Sequence, residues 1–285
     1  MRKVLRKIFL NNFKSIFYML QNSNSKFLEI ESINFKIIKN SNLGKKNSTI
    51  SSRLDQTITP NLLKKGEWDY FIIKFIKKYL TKYKSRYSFF DIGANIGLIS
   101  RQIITNKIQI YDFHCIEPEI QNFEILNRNL KNLKKQNIYT YNVALDTNKT
   151  GWKKIYINKD NFGDFSLLNE NKNQKFKIIK SVNTNKFLNK IIKRYKIINI
   201  IYKSDIQGMD EQVVLSLNKK IIEKIKVMIL EISNIKFLNK NLNKFKNFIN
   251  KFDIKEDEKG NKITTKIILN KIKNRETFNL LLGKN

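Results

Sequence analysis

The sequence predicts an α/β fold, in which a mostly parallel sheet carries helices on both faces and is closed by a C-terminal antiparallel hairpin. From Tyr87 onward, short apolar segments typical of strands alternate with amphipathic segments typical of helices, and this alternation produces parallel sheets. A glycine-spaced turn at 93–97 follows the first strand of the series. Near the C-terminus, two further segments flank Lys259-Gly260-Asn261, a turn sequence that favours a hairpin.

The expected elements follow one another along the chain. Pro60 at a helix start and apolar residues at helical spacing predict a helix that ends near Lys82. Two strands, 152–157 and 175–182, interrupt the later alternation, and the polar run between them is a candidate insertion facing the substrate. The hairpin arms are expected at 252–257 and 262–271. The remaining strands are expected at 87–92, 108–116, 137–144, 197–203 and 225–231, and the helices at 98–106, 119–133, 185–194, from about 210, and at 239–251.

Residues 1–60 are expected to form a small appendage, and residues 61–285 the main domain. Within the appendage, residues 1–20 predict a basic amphipathic helix, residues 27–38 alternate as strands do, and 41–59 is expected to be a loop. The helix has no uninterrupted apolar core of the length found in signal peptides or membrane spans. It either packs against the neighbouring domain, which is the commoner outcome, or makes a peripheral contact with an anionic membrane surface.

Length and composition are those of one domain with an extension. The chain has 285 residues, 41% of them hydrophobic, which suffices for a core. The single cysteine, Cys115, lies in an apolar strand, so it forms no intrachain disulfide and fits a reducing, cytoplasmic setting. His114 is the only histidine and is expected to be a core residue. One histidine and one cysteine cannot assemble a metal cluster, and no spacing of carboxylates demands a magnesium site, so no metal is predicted.

The net charge of +32 is large enough to attract nucleic acid or anionic lipid. Only eight of the 56 basic residues are arginine, however, and arginine is the side chain preferred for bidentate recognition of phosphates and bases. The lysines are spread over every segment beside abundant Asn and Ile, so a drift in composition explains the charge as well as a polyanionic partner does. A nucleic-acid partner is therefore not the favoured interpretation.

The turn after the first core strand has the residues needed to hold a nucleoside cofactor. Asp91 ends the apolar strand, Gly93 can adopt backbone angles closed to other residues, and Gly97 allows close packing of the following helix. Asn95 stands where a dinucleotide site needs a third glycine to admit a pyrophosphate, which argues against NAD and FAD. A cofactor with adenosine but no phosphate, such as S-adenosyl-L-methionine, tolerates that side chain. The alternative is an ordinary strand-to-helix turn.

Glu117 supplies the second half of this predicted pocket. It lies twenty residues after Gly97, at the tip of the second strand, where a carboxylate can accept hydrogen bonds from both ribose hydroxyls. Pro118 ends the strand and starts the next helix. Taken alone, Glu117 could instead be an acid favoured by the helix dipole.

Two more acids end strands at the same predicted edge of the sheet. Asp205 follows the apolar strand 197–203 and is the best candidate for a base that orients or deprotonates an attacking alcohol. Its alternative role is to cap the next helix. Glu231 ends a later strand and is a lesser candidate, divided between substrate contact and structural use.

Four segments also occur in a specific order and spacing: FFDIGANIGLIS at 89–100, IEPEIQNFEILNRNL at 116–130, NVALD at 142–146 and YKSDIQGMDEQVVL at 202–215. Through them, residues 65–270 resemble the FkbM family of S-adenosylmethionine-dependent methyltransferases. The resemblance implies a Rossmann-like class I methyltransferase fold with a mostly parallel seven-stranded sheet. It also implies methyl transfer to a hydroxyl of a sugar or other small molecule, in many members within glycan biosynthesis.

Residue roles carried over from the resemblance extend the candidate site. Asp91, Gly93, Ala94, Asn95 and Gly97 would surround the methionine end of the cofactor, Glu117 would hold the ribose, and Ala144 to Asp146 would border the adenine. Asp210 would contact the substrate, a role for which Glu231 is a candidate from its place at a strand end. The fourth segment departs from the family pattern at Ser204, where an apolar residue is usual, and at Asp210, where Glu is usual and whose carboxylate reaches about one bond less far.

These expectations together indicate an O-methyltransferase that uses S-adenosylmethionine and a hydroxyl acceptor in a glycan or related small molecule. One alternative keeps the chemistry and changes the acceptor to the ribose 2′-hydroxyl of RNA. A second alternative is a domain that binds the cofactor or a polyanion without turnover.

Overall fold

The computed structural model describes residues 27–31, 35–40, 48–52, 57–58, 67–131, 133, 137–147, 150–156, 166–167 and 175–285. The amphipathic helix predicted at 1–20 and the helix start predicted at Pro60 lie outside these residues. The first three described ranges are strands β1 (Phe27–Glu31), β2 (Phe35–Asn40) and β3 (Ser48–Ser52), which form an antiparallel sheet in that order. The strands expected at 27–38 are therefore confirmed, whereas the loop expected at 41–59 is wrong at β3.

The remaining elements alternate much as the sequence predicts. The strands are β4 (Tyr87–Ile92), β5 (Asp112–Ile116), β6 (Asn137–Tyr141), β7 (Ala144–Asp146), β8 (Gly151–Tyr156), β9 (Phe176–Asn183), β10 (Asn199–Ser204), β11 (Ile225–Ile232), β12 (Ile254–Glu256) and β13 (Phe278–Gly283). The helices are α1 (Tyr70–Lys82), α2 (Leu98–Thr105), α3 (Ile120–Lys131), α4 (Thr184–Arg194), α5 (Asp210–Ser216), α6 (Lys219–Lys224), α7 (Ile235–Lys240), α8 (Leu242–Ile249) and α9 (Thr265–Lys273).

The central sheet has seven strands in the order β12-β13-β11-β10-β4-β5-β6. Neighbours from β11 to β6 are parallel, and β13 runs antiparallel to both β11 and β12. This topology confirms the predicted fold class, including the antiparallel closure at the C-terminus. A separate sheet has the order β7-β9-β8.

The core lies on both faces of the central sheet, because successive strand residues point to opposite sides. Phe89 of β4 belongs to the apolar cluster formed with α1, α2 and α3, whereas the next residue, Phe90, belongs to the cluster formed with α4, α5, α8 and α9. All six residues of β4 are buried. Both faces of the strand are thus covered, which leaves the ends of the strands for ligands.

The predicted second arm of the hairpin, 262–271, is confirmed only at Lys262, which forms one antiparallel bridge with Glu256, and is wrong for the residues that follow. Thr264 caps a helix there by accepting a hydrogen bond from the backbone N–H of Ile267, and this helix, α9, buries Ile268 and Ile272 four residues apart. The antiparallel partner of β12 is β13 instead. Smaller differences concern boundaries: the strand expected at 108–116 begins at Asp112, and the helix expected at 239–251 is divided into α7 and α8. Among the described residues, no helix has the length and apolar content required to cross a membrane.

Candidate functional site

The turn between β4 and α2 adopts the strained backbone that its glycines allow. Gly93 has φ 69° and Gly97 has φ 82°, and Asn95 also lies in the left-handed region at φ 49°, which Asn tolerates better than most residues. A Cβ atom on Gly93 would lie 1.9 Å from the backbone oxygen of Asp205. Gly93 is therefore needed both for its backbone angle and for the close approach of the loop after β10.

Glu117 is buried at the end of β5 and is hydrogen-bonded to this turn. Its Oε2 accepts from the backbone N–H of Asn95 at 2.9 Å, and its Oε1 accepts from that of Glu119 at 2.9 Å. Burial raises the pKa of Glu117 to about 8, although these two hydrogen bonds act in the opposite direction. The carboxylate is thus fixed in position, and it keeps further lone pairs for a ligand.

Lys203 is a site residue that sequence reasoning missed. Its Nζ lies 2.9 Å from the backbone oxygen of Gly93, 3.3 Å from Asp91 Oδ1 and 3.9 Å from Asp205 Oδ2. Burial alone would lower the pKa of Lys203, but Asp91 and Asp205 raise it above its ordinary value. Asp91 is fully buried and also accepts a hydrogen bond from Ser100 Oγ at 2.7 Å. The ammonium group therefore joins the ends of β4 and β10.

Asp205 begins the loop that follows β10. Its backbone N–H donates to the backbone oxygen of Ile92 at 3.1 Å, and its Oδ1 accepts from Gln207 Nε2 at 2.8 Å. About a third of its side chain is exposed. The carboxylate is thus oriented by neighbours and still accessible, as a group that contacts an acceptor needs to be.

Asp210 lies beneath the same loop with no exposed surface. Its carboxylate accepts hydrogen bonds from Ser204 Oγ and from the backbone N–H of Ile206. Burial and the nearby charge of Asp205 raise its pKa to about 7. The Ser204 hydroxyl thus has a partner in the Asp210 carboxylate, and both stabilise the loop. A substrate contact by Asp210 stays a prediction.

Glu231 lies near the end of β11, and its Oε2 is buried without a hydrogen-bond partner among the described residues. Burial, followed by the charges of Asp205 and Asp210, raises its pKa to about 8. Glu211 lies nearby and stabilises the loop after β11. Its Oε1 accepts hydrogen bonds from the backbone N–H groups of Ser233 and Asn234 at 2.7 and 2.8 Å.

A cavity of about 270 Å³ opens at the carboxyl ends of these strands, close to the lower limit of about 300 Å³ for small-molecule sites. In the part of the chain that the structure describes, its charged lining residues are four acids and one lysine. Four residues before α1, which sequence reasoning missed, also line it: Thr57, Ile58, Trp68 and Asp69. The predicted residues that line the cavity are Gly93, Ala94, Asn95, Glu117, Ala144, Asp205 and Glu231, and the charged ones are Asp69, Glu117, Lys203, Asp205 and Glu231.

The other predicted site residues lie behind this lining. Gly97 faces α3, and a Cβ atom on it would lie 3.4 Å from the side chains of Leu126 and Leu130. Asp146 forms an ion pair with Lys153 of β8 and is fully buried. Asp91 and Asp210 are buried as described above. A direct cofactor contact by Asp91, Gly97 or Asp146 stays a prediction.

Neither His114 nor Cys115 reaches the cavity. His114 is buried, stacks on Phe90 and Tyr139, and has Nδ1 3.0 Å from the hydroxyl of Tyr141. Cys115 is fully buried, which raises the pKa of its thiol. Both are core residues, as the sequence predicts. Within the described part of the chain, no three His, Cys, Asp or Glu side chains are grouped so that they could hold a metal ion.

No protein-family model and no curated protein matches the sequence. Several solved structures resemble the fold at low identity. Methyltransferase FkbM from Methylobacillus flagellatus KT is 16% identical, with a TM-score of 0.41 over 73% of this chain and 47% of that one, so the chain spans about half its length. An S-adenosylmethionine-dependent methyltransferase from Clostridium acetobutylicum ATCC 824 is 10% identical, with a TM-score of 0.41 over 80% and 96% of the two chains. TrmK of M. capricolum, in complex with S-adenosyl-homocysteine, is 13% identical, with a TM-score of 0.37 over 74% and 67%.

Proposed function

We propose that the chain is an S-adenosylmethionine-dependent O-methyltransferase that acts on a hydroxyl of a sugar, a glycan or a related small molecule. The observation that carries this proposal is an acidic cavity in a strongly basic protein. The net charge is +32, yet the described residues that line the cavity include four carboxyl groups and one lysine. Such a lining favours a cationic ligand and disfavours a phosphate-bearing one.

The cavity residues fit an adenosyl group. Glu117 uses two of its roughly four acceptor positions for backbone N–H groups and has the rest available for two ribose hydroxyls. Val143, Ala144 and Leu145 add an apolar section to the lining, suited to a flat heterocycle. Asn95 fills the place where a pyrophosphate would need a glycine.

The same cavity fits the sulfonium end of the cofactor, which when bound supplies a methyl group activated by a positive charge. Asp205 and Glu231 both line the cavity. Burial raises the pKa of Glu231 to about 8, and a bound cation would favour its ionised form. Lys203 offsets part of the negative charge at the cavity, because its ammonium lies between Asp91 and Asp205. The chain's own residues thus orient the reactive end by charge.

Asp205 is the residue that would orient the acceptor. Its exposed carboxylate can accept a hydrogen bond from an alcohol and take up its proton as the new bond forms. A carboxylate is a weak base toward an alcohol, so orientation contributes more than proton removal. Gln207 and Asn279 also line the cavity and add amide groups that suit a ligand with several hydroxyls.

Replacing Glu117 tests the cofactor site. Above pH 8, where Glu117 is ionised, the Glu117→Gln variant should bind S-adenosylhomocysteine at least tenfold more weakly, because charge-assisted hydrogen bonds contribute about 1.5–3 kcal/mol. Isothermal titration measures this, and Glu124→Gln, an exposed acid on α3, is the matched control. Equal affinity of both variants would remove Glu117 from the pocket, and no binding by the unmodified protein would remove the cofactor from the proposal.

Replacing Asp205 tests the transfer step. The protein is incubated with methyl-labelled S-adenosylmethionine against separate pools of cell glycans, nucleotide sugars and total RNA, and label should enter a carbohydrate pool. Asp205→Asn should keep its affinity for S-adenosylhomocysteine and lose about 10²-fold or more in labelling rate. Label in RNA would select the ribose 2′-hydroxyl alternative. Binding without label in any pool would select the domain without turnover, and full activity of the variant would exclude Asp205 as the orienting residue.

A further inference from the structure

One face of the β8–β9 pair is exposed and combines aromatic rings with lysines. Antiparallel partners share a face of the sheet, and the register pairs Trp152 with Lys180, Lys154 with Ile178 and Tyr156 with Phe176. The exposed fractions are 74% for Trp152, 57% for Ile178 and 47% for Phe176. We call this surface the ring–lysine face; its residues are Trp152, Lys154, Tyr156, Phe176, Ile178 and Lys180.

The opposite face of the same strands is built differently. There Ile155 and Ile179 are buried, Lys153 is paired with Asp146, and Lys177 is paired with Glu119. The lysines that point inward are thus neutralised by acids of the domain. The two faces differ in charge as well as in burial.

The lysines of the ring–lysine face have no such partners. Lys154 and Lys180 are exposed, and neither forms an ion pair with a carboxylate in the described part of the chain. Lys154 lies over the ring of Phe176, with Nζ 4.1 Å from the ring centroid, in the geometry of a cation–π contact. Exposed apolar side chains grouped in this way are typical of binding surfaces. The face therefore offers a partner both aromatic rings and positive charges.

The order of these groups indicates the chemistry of the partner. Along β8 a ring, a cation and a ring follow at every second residue, at Trp152, Lys154 and Tyr156, which corresponds to a step of about 6.8 Å. A single-stranded nucleic acid alternates flat bases with phosphate anions in the same way. Bases stack on exposed aromatic side chains while lysines follow the backbone, and this binding tolerates any sequence.

A membrane surface would need another arrangement. Side chains that enter the interface group their apolar parts and keep their charges at the rim, near the lipid headgroups. On the ring–lysine face the lysines lie between the rings, so burying the rings in lipid would bury the charges too. A nucleic-acid duplex also fits poorly, because its stacked base pairs hide the faces on which rings would stack.

We propose that the ring–lysine face binds single-stranded nucleic acid. The net charge of +32 adds long-range attraction, and the face adds stacking and local phosphate contacts. The proposal is independent of methyl transfer, because Ile155, which lines the cavity, lies on the other face of β8. A strand bound to the ring–lysine face would be held outside the cavity.

Fluorescence anisotropy with a labelled 12-nucleotide RNA of mixed sequence tests this in the full chain. The Trp152→Ala/Phe176→Ala variant should bind about tenfold more weakly or worse, since each base–ring stack contributes about 1–3 kcal/mol. The Lys154→Gln/Lys180→Gln variant should reduce the slope of log affinity against log salt by about 1.4. The controls are Lys266→Gln/Lys273→Gln on α9 and Tyr111→Ala, which remove exposed lysines and an exposed ring elsewhere and should change affinity less than twofold.

The proposal would be overturned if the face variants kept their RNA affinity, or if they and the control variants lost equal affinity, which would indicate bulk charge. It would also be overturned if a 12-base-pair duplex bound as tightly as the single strand. A loss in the face variants of affinity for phosphatidylserine vesicles alone would overturn it as well. Titration of each variant with S-adenosylhomocysteine checks its fold. Failure of that titration in the unmodified protein would contradict the proposed function and leave the RNA result intact.

Discussion

Lys203 connects groups at the carboxyl ends of β4 and β10. Its ammonium lies against three oxygens: the carboxylate of Asp91 in β4, the backbone oxygen of Gly93 in the following turn, and the carboxylate of Asp205 in the loop after β10. Asp91 is fully buried, and its carboxylate contacts this lysine and the Ser100 hydroxyl. Removing one partner of a buried ion pair is costly because it leaves the other charge without compensation.

Lys203→Met should therefore destabilise the protein by about 3 kcal/mol and weaken S-adenosylhomocysteine binding, since the turn at Gly93 loses its anchor. Urea denaturation and isothermal titration measure the two effects. In an Asp91→Asn background the same substitution should cost clearly less, because the uncompensated charge is gone. An equal cost in both backgrounds would show that Lys203 acts through packing alone.

Acids at strand ends were visible in the sequence, whereas this lysine was not. Glu117, Asp205 and Glu231 each follow an apolar run, and the structure brings all three to one cavity. A lysine carries no comparable signal in a chain with 56 basic residues. A lysine within the apolar run 197–203 was the available clue, because such a charge has to find a partner when the strand is buried.

Spacing also could not reveal the direction of a side chain. The carboxylate of Asp210 turns back to the loop before it and accepts hydrogen bonds from the backbone N–H of Ile206. The shorter side chain explains part of this result, because Asp reaches local N–H groups more readily than Glu does.

Among the elements, β4, the turn and α2 were predicted almost to the residue. Their signals are local: an apolar run, two glycines with positive φ and a helix start. The arm expected at 262–271 was wrong because a short apolar segment next to a turn fits a strand as well as a helix. Burial of Ile268 and Ile272 on one helical face decided the outcome.

The segment before α1 contributes residues to the cavity that no local sequence pattern predicts. Trp68 and Asp69 line the cavity because the side chain of Gln102 on α2 holds the backbone of Trp68. Gln102 Oε1 accepts a hydrogen bond from the Trp68 N–H at 2.9 Å, and Gln102 Nε2 donates one to the Trp68 backbone oxygen at 2.6 Å. The two partners are 34 residues apart. Neither residue has the spacing of a known motif, so their contribution followed only from the folded chain.

For the whole molecule, the distribution of charge contrasts with the composition. The surface is strongly basic, while the acids Glu117, Asp210 and Glu231 are gathered at one edge of the sheet. Burial is the largest cause of the raised pKa in each of the three, to about 8, 7 and 8. Ionising these buried carboxyl groups therefore costs free energy in the folded protein, as is often found at functional sites.

This cost predicts how stability depends on pH. Ordinary carboxyl groups titrate near pH 4 in the unfolded chain, so between about pH 4 and 8 the folded protein binds more protons and its stability falls as pH rises. Burial lowers the pKa of Lys284 to about 8, and this group acts in the opposite direction at higher pH.

We therefore expect a lower melting temperature at pH 7.5 than at pH 5.5, measured by calorimetry at constant ionic strength. Glu231→Gln should reduce the difference, because it removes one of the three groups. S-adenosylmethionine should raise the melting temperature more at pH 7.5, because its positive charge favours the ionised carboxylates. A melting temperature that rises over this interval, or an unchanged difference in Glu231→Gln, would contradict the assignment of these buried acids.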